Sequence, residues 1–109
     1  MIYEISLKDD KKIIWIKSDN ASSSLYFYND DNESIYISNL IVKNKFRNNK
    51  LGTKLLELTE NIGILLNAIN AYLWVDKNSW LHDWYKRKGY SDFQKHERDG
   101  YVWMKKQLF

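Results

Sequence analysis

Short runs of hydrophobic and polar positions alternate along the first half of the chain. The runs rich in β-branched and aromatic residues cover residues 2–7, 12–17, 24–29 and 34–42. Such residues suit a pleated, half-buried surface, and the Asp and Asn residues between the runs form turns. The pattern predicts four consecutive antiparallel strands, the first two joined as a hairpin across Asp9-Asp10.

The hydrophobic period changes in the second half. The apolar residues that recur there at three- and four-residue steps are Leu55, Leu58, Ile62, Leu65, Leu66 and Ile69. This spacing is typical of one face of a helix and predicts a helix over residues 53–69, which Gly63 weakens. A strand over 71–76 is expected to follow.

A second helix is predicted after that strand. Asn78 or Ser79 can cap its start, and its expected buried face includes Trp80, Leu81 and Trp84. Three basic residues followed by Gly89 are typical of a helix carboxyl terminus that ends in a left-handed residue. Strands over 90–95 and 101–106, divided by Asp99-Gly100, complete the order β-β-β-β-α-β-α-β-β.

These elements predict one α/β (α+β) domain over residues 1–109, with a mixed, mostly antiparallel sheet of about seven strands and two helices. The chain has no Cys and two His, which excludes disulfides and a cysteine nucleophile and makes a bound metal unexpected. No apolar run is long enough for a membrane span or a signal peptide. We therefore expect a soluble, cytoplasmic protein with no membrane contact.

Candidate chemistry begins at the end of the fourth predicted strand. After Val42, a loop with Lys43, Lys45, Arg47 and Lys50 and no acidic residue leads into a helix near Gly52. Unpaired N–H groups at a helix start, together with nearby cations, favour a polyphosphate ligand. From this stretch alone, an ordinary strand-to-helix turn with solvated lysines is an equal alternative.

A second stretch decides between the two interpretations. Residues 78–90 read Asn-Ser-Trp-Leu-His-Asp-Trp-Tyr-Lys-Arg-Lys-Gly-Tyr. Together the two stretches resemble the GNAT family of acyl-coenzyme A dependent N-acetyltransferases. In that family a strand ending in Leu-x-Val leads to a loop Q/R-x-x-G-x-G/A, and a later strand to N-x-x-x-x-x-x-Y-x-x-x-G-F/Y. Leu40 with Val42, residues 47–52, and Asn78 with Tyr85, Gly89 and Tyr90 fit these elements.

The resemblance implies direct transfer of an acetyl group from acetyl-coenzyme A to a primary amine, which is a protein lysine, an amino terminus or a small amine. The cofactor would lie where two strands separate, with its diphosphate on the loop and Asn78 on its pantetheine arm. The residues expected to bind it are Leu40, Ile41, Val42, Arg47, Asn48, Asn49, Lys50, Leu51, Gly52, Thr53 and Asn78.

Two residues are expected to act on protons. By the resemblance, Tyr85 donates a proton or a hydrogen bond to the departing thiolate; the alternative is a helix aromatic that packs on the sheet. Asp76 is the preferred base for the amine, on its position at the end of a strand. His82 and Asp83 are expected to be solvated helix residues, and Glu33 is a further candidate base.

The chain departs from the family pattern in two places. Lys50 stands where the family's first loop glycine is expected, and a positive φ there would strain it. Only Asp9-Asp10-Lys11 separates the first two predicted strands, whereas family members usually place two helices there. The missing wall predicts an open acceptor side, suited to a protein substrate or to completion by a second subunit as a homodimer.

A non-catalytic GNAT-fold protein that binds a macromolecule is the alternative function. A nucleic-acid partner is not expected from the sequence, because the net charge is only +3 and no standard recognition motif is present.

Overall fold

The predicted order of strands and helices is present in the computed structural model, which describes residues 2–31, 33–43 and 50–109. The elements are β1 (Ile2–Lys8), β2 (Lys11–Lys17), β3 (Ala21–Tyr28), β4 (Ser34–Val42), α1 (Leu51–Leu65), β5 (Asn70–Asp76), α2 (Trp80–Arg87), β6 (Ser91–Lys95) and β7 (Tyr101–Gln107). The strands form one sheet in the order β1-β2-β3-β4-β5-β7-β6. Every neighbouring pair is antiparallel except β4 with β5, so the predicted mixed sheet with two helices is confirmed.

The first two strands form the expected hairpin. Lys8 pairs with Lys11 across Asp9-Asp10, and Asp9 has a φ of 52°. Asp tolerates this left-handed backbone better than most residues, which suits it to a tight turn. The connection between β1 and β2 is therefore two residues long.

Both helices pack on the same face of the sheet. Helix α1 lies on β3 and β4, and α2 lies on β5. Their side chains Leu56 and Tyr85 share one core with the strand residues Leu25, Ile35, Ile37, Leu73, Val75, Val102 and Met104. Burial of these apolar side chains is the main force that holds the helices to the sheet.

The opposite face of the sheet carries rings. Cross-strand partners point to the same side, and the pairs Tyr26–Tyr36, Tyr36–Tyr72 and Trp74–Trp103 stand on the side away from the helices. We call this the aromatic face; it comprises Tyr26, Tyr28, Tyr36, Tyr72, Trp74, Phe93, His96, Tyr101 and Trp103. No helix that the structure describes covers it.

The first helix ends earlier than the hydrophobic period predicts. Asn67 has a φ of 67°, and the Ala68 N–H donates to the Gly63 carbonyl at 2.9 Å, which closes the helix in a Schellman motif. Leu65, predicted on the buried face, is 81% exposed although it still belongs to α1. The buried face runs instead through Leu55, Leu56, Thr59, Glu60 and Gly63.

Gly63 marks a close approach of α1 to the sheet. A Cβ atom at this position would lie 2.5 Å from Ile35 Cδ1, closer than two carbon atoms pack. The glycine that weakens the helix in isolation therefore lets α1 pack closely on β4.

Neither described helix is long and apolar enough to cross a bilayer.

Candidate active site

The central strands β4 and β5 separate part of the way along the sheet. Their described pairing covers only Ser34–Asn70, Ile35–Ala71 and Tyr36–Tyr72, while β4 continues to Val42 and β5 to Asp76. Between these pairs and its end, β4 also contains a bulge, because Ser22 pairs with Ile41 but Ser24 pairs with Ser38. Such an extra residue bends a strand and re-aims its side chains.

A cavity of about 420 Å³ opens beside the end of β4. It is within the size range of small-molecule sites. Its lining residues are Leu40, Ile41, Val42, Lys50, Gly52, Thr53, Trp80, Leu81, Trp84 and Arg87. Apolar side chains and two cations line the same space, which suits a ligand with an anionic end and a slender arm.

The start of α1 forms one end of this cavity. Lys50, the residue that precedes the helix, has φ 58° and ψ 19°, and its side chain makes no capping hydrogen bond. The first turn contains no acidic residue, so nothing in that turn neutralises the positive end of the helix dipole. An anion at Gly52 and Thr53 would meet favourable electrostatics there.

The backbone conformation at residue 52 does not require glycine. Its φ is not among the positive values, and a Cβ atom there would make ordinary contacts of 3.6 Å to Val42 Cγ2 and 3.7 Å to Trp84 Cζ2. Its hydrogen atom leaves the cavity floor open. A side chain at residue 52 would fill the site without a clash with the protein's core.

Tyr85 is fixed by the way α2 ends. Gly89 has φ 98°, the Gly89 N–H donates to the Lys86 carbonyl at 3.1 Å and the Tyr90 N–H to the Tyr85 carbonyl at 3.0 Å. This is a Schellman motif, in which the residues at C3 and C″ pack together. The Tyr85 and Tyr90 rings meet edge to face at 5.5 Å. The spacing Tyr-x-x-x-Gly-Tyr therefore has a structural cause in addition to any role in chemistry.

Burial raises the pKa of the Tyr85 phenol above its ordinary value, since the ionised form loses its hydration. Tyr85 is 5% exposed, yet every fully buried polar side-chain atom in the described part of the chain has a hydrogen-bond partner. The Tyr85 hydroxyl makes no hydrogen bond to those residues, and Tyr85 is not among the residues that line the cavity. Tyr85 is held protonated, which suits a hydrogen-bond donor better than an acid that gives up its proton completely.

A buried polar group beside Tyr90 was not predicted. Glu60, 8% exposed, accepts a hydrogen bond from the Tyr90 hydroxyl at 2.8 Å and lies 3.1 Å from Lys106 Nζ. Burial, followed by the nearby Glu60 carboxylate, raises the pKa of Tyr90. These contacts tie α1 to β7 and to the segment after α2.

Stability is expected to fall as the pH rises above about 10. The folded chain holds the phenol protons of Tyr85 and Tyr90, whose pKa values are raised, while the unfolded chain releases them near pH 10. The unfolded state then binds fewer protons, so the free energy of unfolding falls by up to about 1.4 kcal/mol per pH unit for each group. Urea unfolding between pH 9 and 11 measures this.

Tyr90→Phe should flatten this pH dependence, because it removes one of the four phenols with a raised pKa, the others being those of Tyr26, Tyr36 and Tyr85. Tyr3→Phe is the matched control, since Tyr3 is 55% exposed on β1. An equal change of slope in both variants would contradict this explanation.

The structure places the remaining predicted residues as follows. Asp76 is half-buried at the end of β5 and its Oδ1 accepts the Asn78 N–H at 2.9 Å. Asn78 is exposed, and neither residue is among those that line the cavity.

Glu33 is exposed before β4, and its carbonyl accepts the Ile69 N–H. Leu51 begins α1, half-buried against Ile16 and its neighbours. Arg47, Asn48 and Asn49, as well as Lys45, lie outside the described residues.

Two expectations for α2 were wrong. Trp80 is 60% exposed, because it is the first residue of α2 and lies at the cavity rim. His82 is buried instead of solvated, and its Nε2 lies 2.8 Å from Asp92 Oδ1. Ser79 does precede the helix, but its hydroxyl donates back to the Asp76 carbonyl at 2.8 Å.

The cavity also contains residues without a predicted role. Trp84 was expected only in the core, and Arg87 only as a favourable charge at the helix end. Both line the cavity. The sequence contains a signal for both residues. Trp84 lies about one helical turn after Trp80 and Leu81, and Arg87 lies one turn after Trp84.

Comparison with known proteins agrees with this architecture. The sequence profile described as Acetyltransferase (GNAT) family matches residues 3–90. This chain therefore belongs to the GNAT acetyltransferase family. No curated protein sequence matches it.

Several solved structures share the fold. Escherichia coli ElaA is 24% identical with a TM-score of 0.70, over 93% of this chain and 71% of that one. An acetyltransferase from Streptococcus agalactiae is 16% identical with a TM-score of 0.71, over 90% of this chain and 67% of that one. The PaiA N-acetyltransferase of Thermoplasma acidophilum, solved in complex with coenzyme A, is 18% identical with a TM-score of 0.72; the match covers 90% of this chain and 61% of that protein.

Proposed function

We propose that this protein is an N-acetyltransferase that moves an acetyl group from acetyl-coenzyme A to a primary amine. The observation that carries the proposal is the cavity at the end of β4, where the open start of α1, two cations and an apolar wall meet. Membership of the family and the coenzyme A complex of the Thermoplasma acidophilum protein support it.

The proposed cofactor site uses both ends of the cavity. The diphosphate would lie on the backbone N–H groups at Gly52 and Thr53, with Lys50 and Arg87 beside it, because a helix start with nearby cations favours phosphate. Arg47, Asn48 and Asn49 belong to the same proposed loop. The pantetheine arm would follow Leu40, Ile41 and Val42 into the gap between β4 and β5, and Asn78 would bind it from the turn after β5.

The proposed reaction needs no protein nucleophile. The amine nitrogen attacks the thioester carbonyl carbon, the carbon–sulfur bond breaks, and the amine proton leaves as the amide forms. A β4 backbone N–H directed at the carbonyl oxygen would stabilise the developing negative charge. Tyr85 would hydrogen-bond to the departing sulfur. Since burial raises the pKa of Tyr85, its contribution is donation of a hydrogen bond rather than full proton transfer.

The amine must be neutral to react. A lysine-like amine with a pKa of about 10.4 is neutral in only about one molecule in 2,500 at pH 7. Asp76 is the proposed base: Oδ1 is occupied by the Asn78 N–H, while Oδ2 makes no hydrogen bond to the residues that the structure describes. Its place at the end of β5 borders the gap between the strands.

Titration with acetyl-coenzyme A by calorimetry tests the proposed function. Saturable binding should raise the melting temperature, by the equivalent of about 2.7 kcal/mol at a ligand concentration of 100 Kd. Turnover with a panel of protein, peptide and small amines then identifies the acceptor. If millimolar ligand neither binds nor stabilises the protein, the enzyme proposal fails and a non-catalytic binding protein remains.

Lys50→Gly should raise stability and weaken binding of coenzyme A. A non-glycine residue at φ 58° is strained, and relief of that strain should add about 1 kcal/mol to the free energy of unfolding. Loss of the ammonium beside the diphosphate should lower affinity by up to about tenfold. Thermal melts and calorimetry measure the two effects.

Lys50→Ala separates the causes, because it removes the charge and keeps the strained backbone. It should weaken binding as much as Lys50→Gly without a gain in stability. Tighter binding in the glycine variant would mean that the loop's geometry, and not the lysine charge, limits affinity.

A further inference from the structure

The aromatic face presents a layer of rings across five strands. Tyr26 and Tyr36 stack with centroids 5.0 Å apart and an interplanar angle of 8°. The layer continues from Tyr36 to Tyr72 at 5.5 Å and from Tyr72 to Phe93 at 5.5 Å. Neighbouring strands lie about 4.8 Å apart, so these rings form one row that runs across β3, β4, β5 and β6, with Lys105 of β7 inside it.

A second cluster of rings lies beside this row. Trp74 stacks on His96 at 4.7 Å and meets Tyr101 edge to face at 5.3 Å. Trp103 lies 5.3 Å from His96 and 6.1 Å from Tyr36, which joins the cluster to the row. Trp74 is 41% exposed and Phe93 is 49% exposed. The stacked rings of the row turn their faces toward one another, so the free ring surface on which a base can stack is that of Trp74 and Phe93.

Cations lie directly on these rings. Lys11 Nζ is 4.7 Å from the centroid of Tyr26, and Arg98 Cζ is 4.4 Å from that of Tyr101. Lys105 Nζ is 5.9 Å from the Tyr72 centroid and 5.6 Å from the Phe93 centroid. None of these three cations forms an ion pair with a residue that the structure describes, so their positive charge is open to an anionic partner.

Few acidic groups lie on the strands of this face, although Asp9, Asp10 and Asp30 lie in the turns at its edge. On its strands, Glu4 is paired with Lys17 at 3.0 Å, and Asp76 accepts the Asn78 N–H at the end of β5. Asp31 lies in the β3–β4 turn near Tyr36. Burial, followed by the nearby Asp31 carboxylate, raises the pKa of Tyr36. Glu97 and Asp99 lie in the turn that also holds Arg98. The centre of the ring row, from Tyr26 to Phe93, contains cations and no carboxylate among the described strand residues.

This combination selects among partners. A second copy of the chain would bring the same cations against one another, and a cationic peptide would be repelled. A duplex would keep its bases stacked inside, out of reach of a flat sheet. A single strand supplies exposed bases for the rings and phosphates for the cations.

From this complementarity we propose that the aromatic face binds single-stranded nucleic acid, with bases stacked on the exposed rings of Trp74 and Phe93 and phosphates near Lys11, Arg98 and Lys105. The face lies on the side of the sheet away from α1 and α2, so the proposed cofactor cavity and this face can be occupied together. The inference does not depend on the proposed acetyl transfer.

Fluorescence anisotropy with a labelled thymidine dodecamer, without coenzyme A, tests the proposal. We expect saturable binding at low salt, quenching of tryptophan fluorescence, and much weaker binding to a duplex of the same length. With three cations near phosphates, the logarithm of the affinity should fall with the logarithm of salt concentration with a slope of about −2.

Matched variants locate the site. Phe93→Ala and Trp74→Ala, at the two most exposed rings, should each weaken binding about tenfold, because loss of one stacked base has an effect of this size. Tyr3→Ala is the aromatic control, since Tyr3 is exposed on the helix side of β1. Lys11→Ala should weaken binding and flatten the salt slope, whereas Lys12→Ala, its neighbour on the other face, should do neither. Melting temperatures check that each variant folds.

Three results would overturn the proposal: no binding of the dodecamer at low salt, equal effects of Lys11→Ala and Lys12→Ala, or unchanged binding by the ring variants. The last two would mean simple electrostatic adsorption. Sedimentation adds one more: a dimer that Phe93→Ala and Trp74→Ala convert to monomer, without oligonucleotide binding, would assign the face to a second copy of the chain.

Discussion

Gly52→Glu is expected to abolish binding of coenzyme A, with a loss of affinity of at least 100-fold. The new carboxylate would enter the cavity beside Val42 and Trp84, because the added Cβ atom would itself lie 3.6 Å and 3.7 Å from their nearest atoms. It would occupy the proposed diphosphate position with a negative charge. The same charge is favourable at a helix start, so the fold should keep its stability while the ligand is lost.

Calorimetry with coenzyme A, beside a thermal melt, measures both quantities. Gly52→Ala is the matched control: the methyl group makes only ordinary contacts and adds helix propensity, so stability should not fall. Its affinity should drop less than that of the glutamate variant. Normal affinity in Gly52→Glu would show that the diphosphate lies elsewhere.

Tyr85→Phe is expected to lower turnover about 100-fold and leave affinity for coenzyme A nearly unchanged. The phenol ring, with its packing on Trp84 and Tyr90 at 5.0 Å and 5.5 Å, is kept, while the hydroxyl that would stabilise the departing sulfur is removed. Groups that donate a proton or hydrogen bond in a transition state typically contribute 100-fold or more. Steady-state kinetics with the best acceptor, together with calorimetry, measure the two parameters.

Tyr90→Phe controls for packing around this site. It removes the hydrogen bond to Glu60 at 2.8 Å and should reduce stability by about 1 to 3 kcal/mol, with little effect on turnover. Unchanged turnover in Tyr85→Phe would exclude the donor role. An equal loss in both variants would mean that the site depends on the packing of α2 and not on the Tyr85 hydroxyl.

The sequence predicted the order of strands and helices along the chain and the end of the second helix, where local chemistry decides the structure. Gly89 predicted a left-handed stop and has φ 98°. The turn at Asp9-Asp10 predicted the hairpin. Lys50, whose strain was expected only if φ is positive, has φ 58°. In each case the backbone conformation of one or two residues is sufficient for the prediction.

Tertiary contacts were harder to predict. A hydrophobic period does not say where a helix ends, so the Asn67 stop was missed; it also placed Leu65 in the core, whereas the buried side of α1 runs through Leu56 and Gly63. Trp80 and Trp84 have the same spacing whether they face a core or a cavity. The Glu60, Tyr90 and Lys106 group joins residues far apart in the chain, and the aromatic face depends on the register of five strands. No local pattern encodes these arrangements.

Only three residue pairs join β4 to β5 in the described part of the chain, so the sheet is mechanically weakest between these two strands. Strands β1 to β4 form one antiparallel block, and β5, β7 and β6 form another; this short seam and the helix core hold the two together. Structures open locally where the fewest bonds must break, and here that place is the seam. A ligand that bridges β4 and β5 would supply hydrogen bonds where the two strands no longer pair. Its binding energy would therefore stabilise the sheet against opening between these strands.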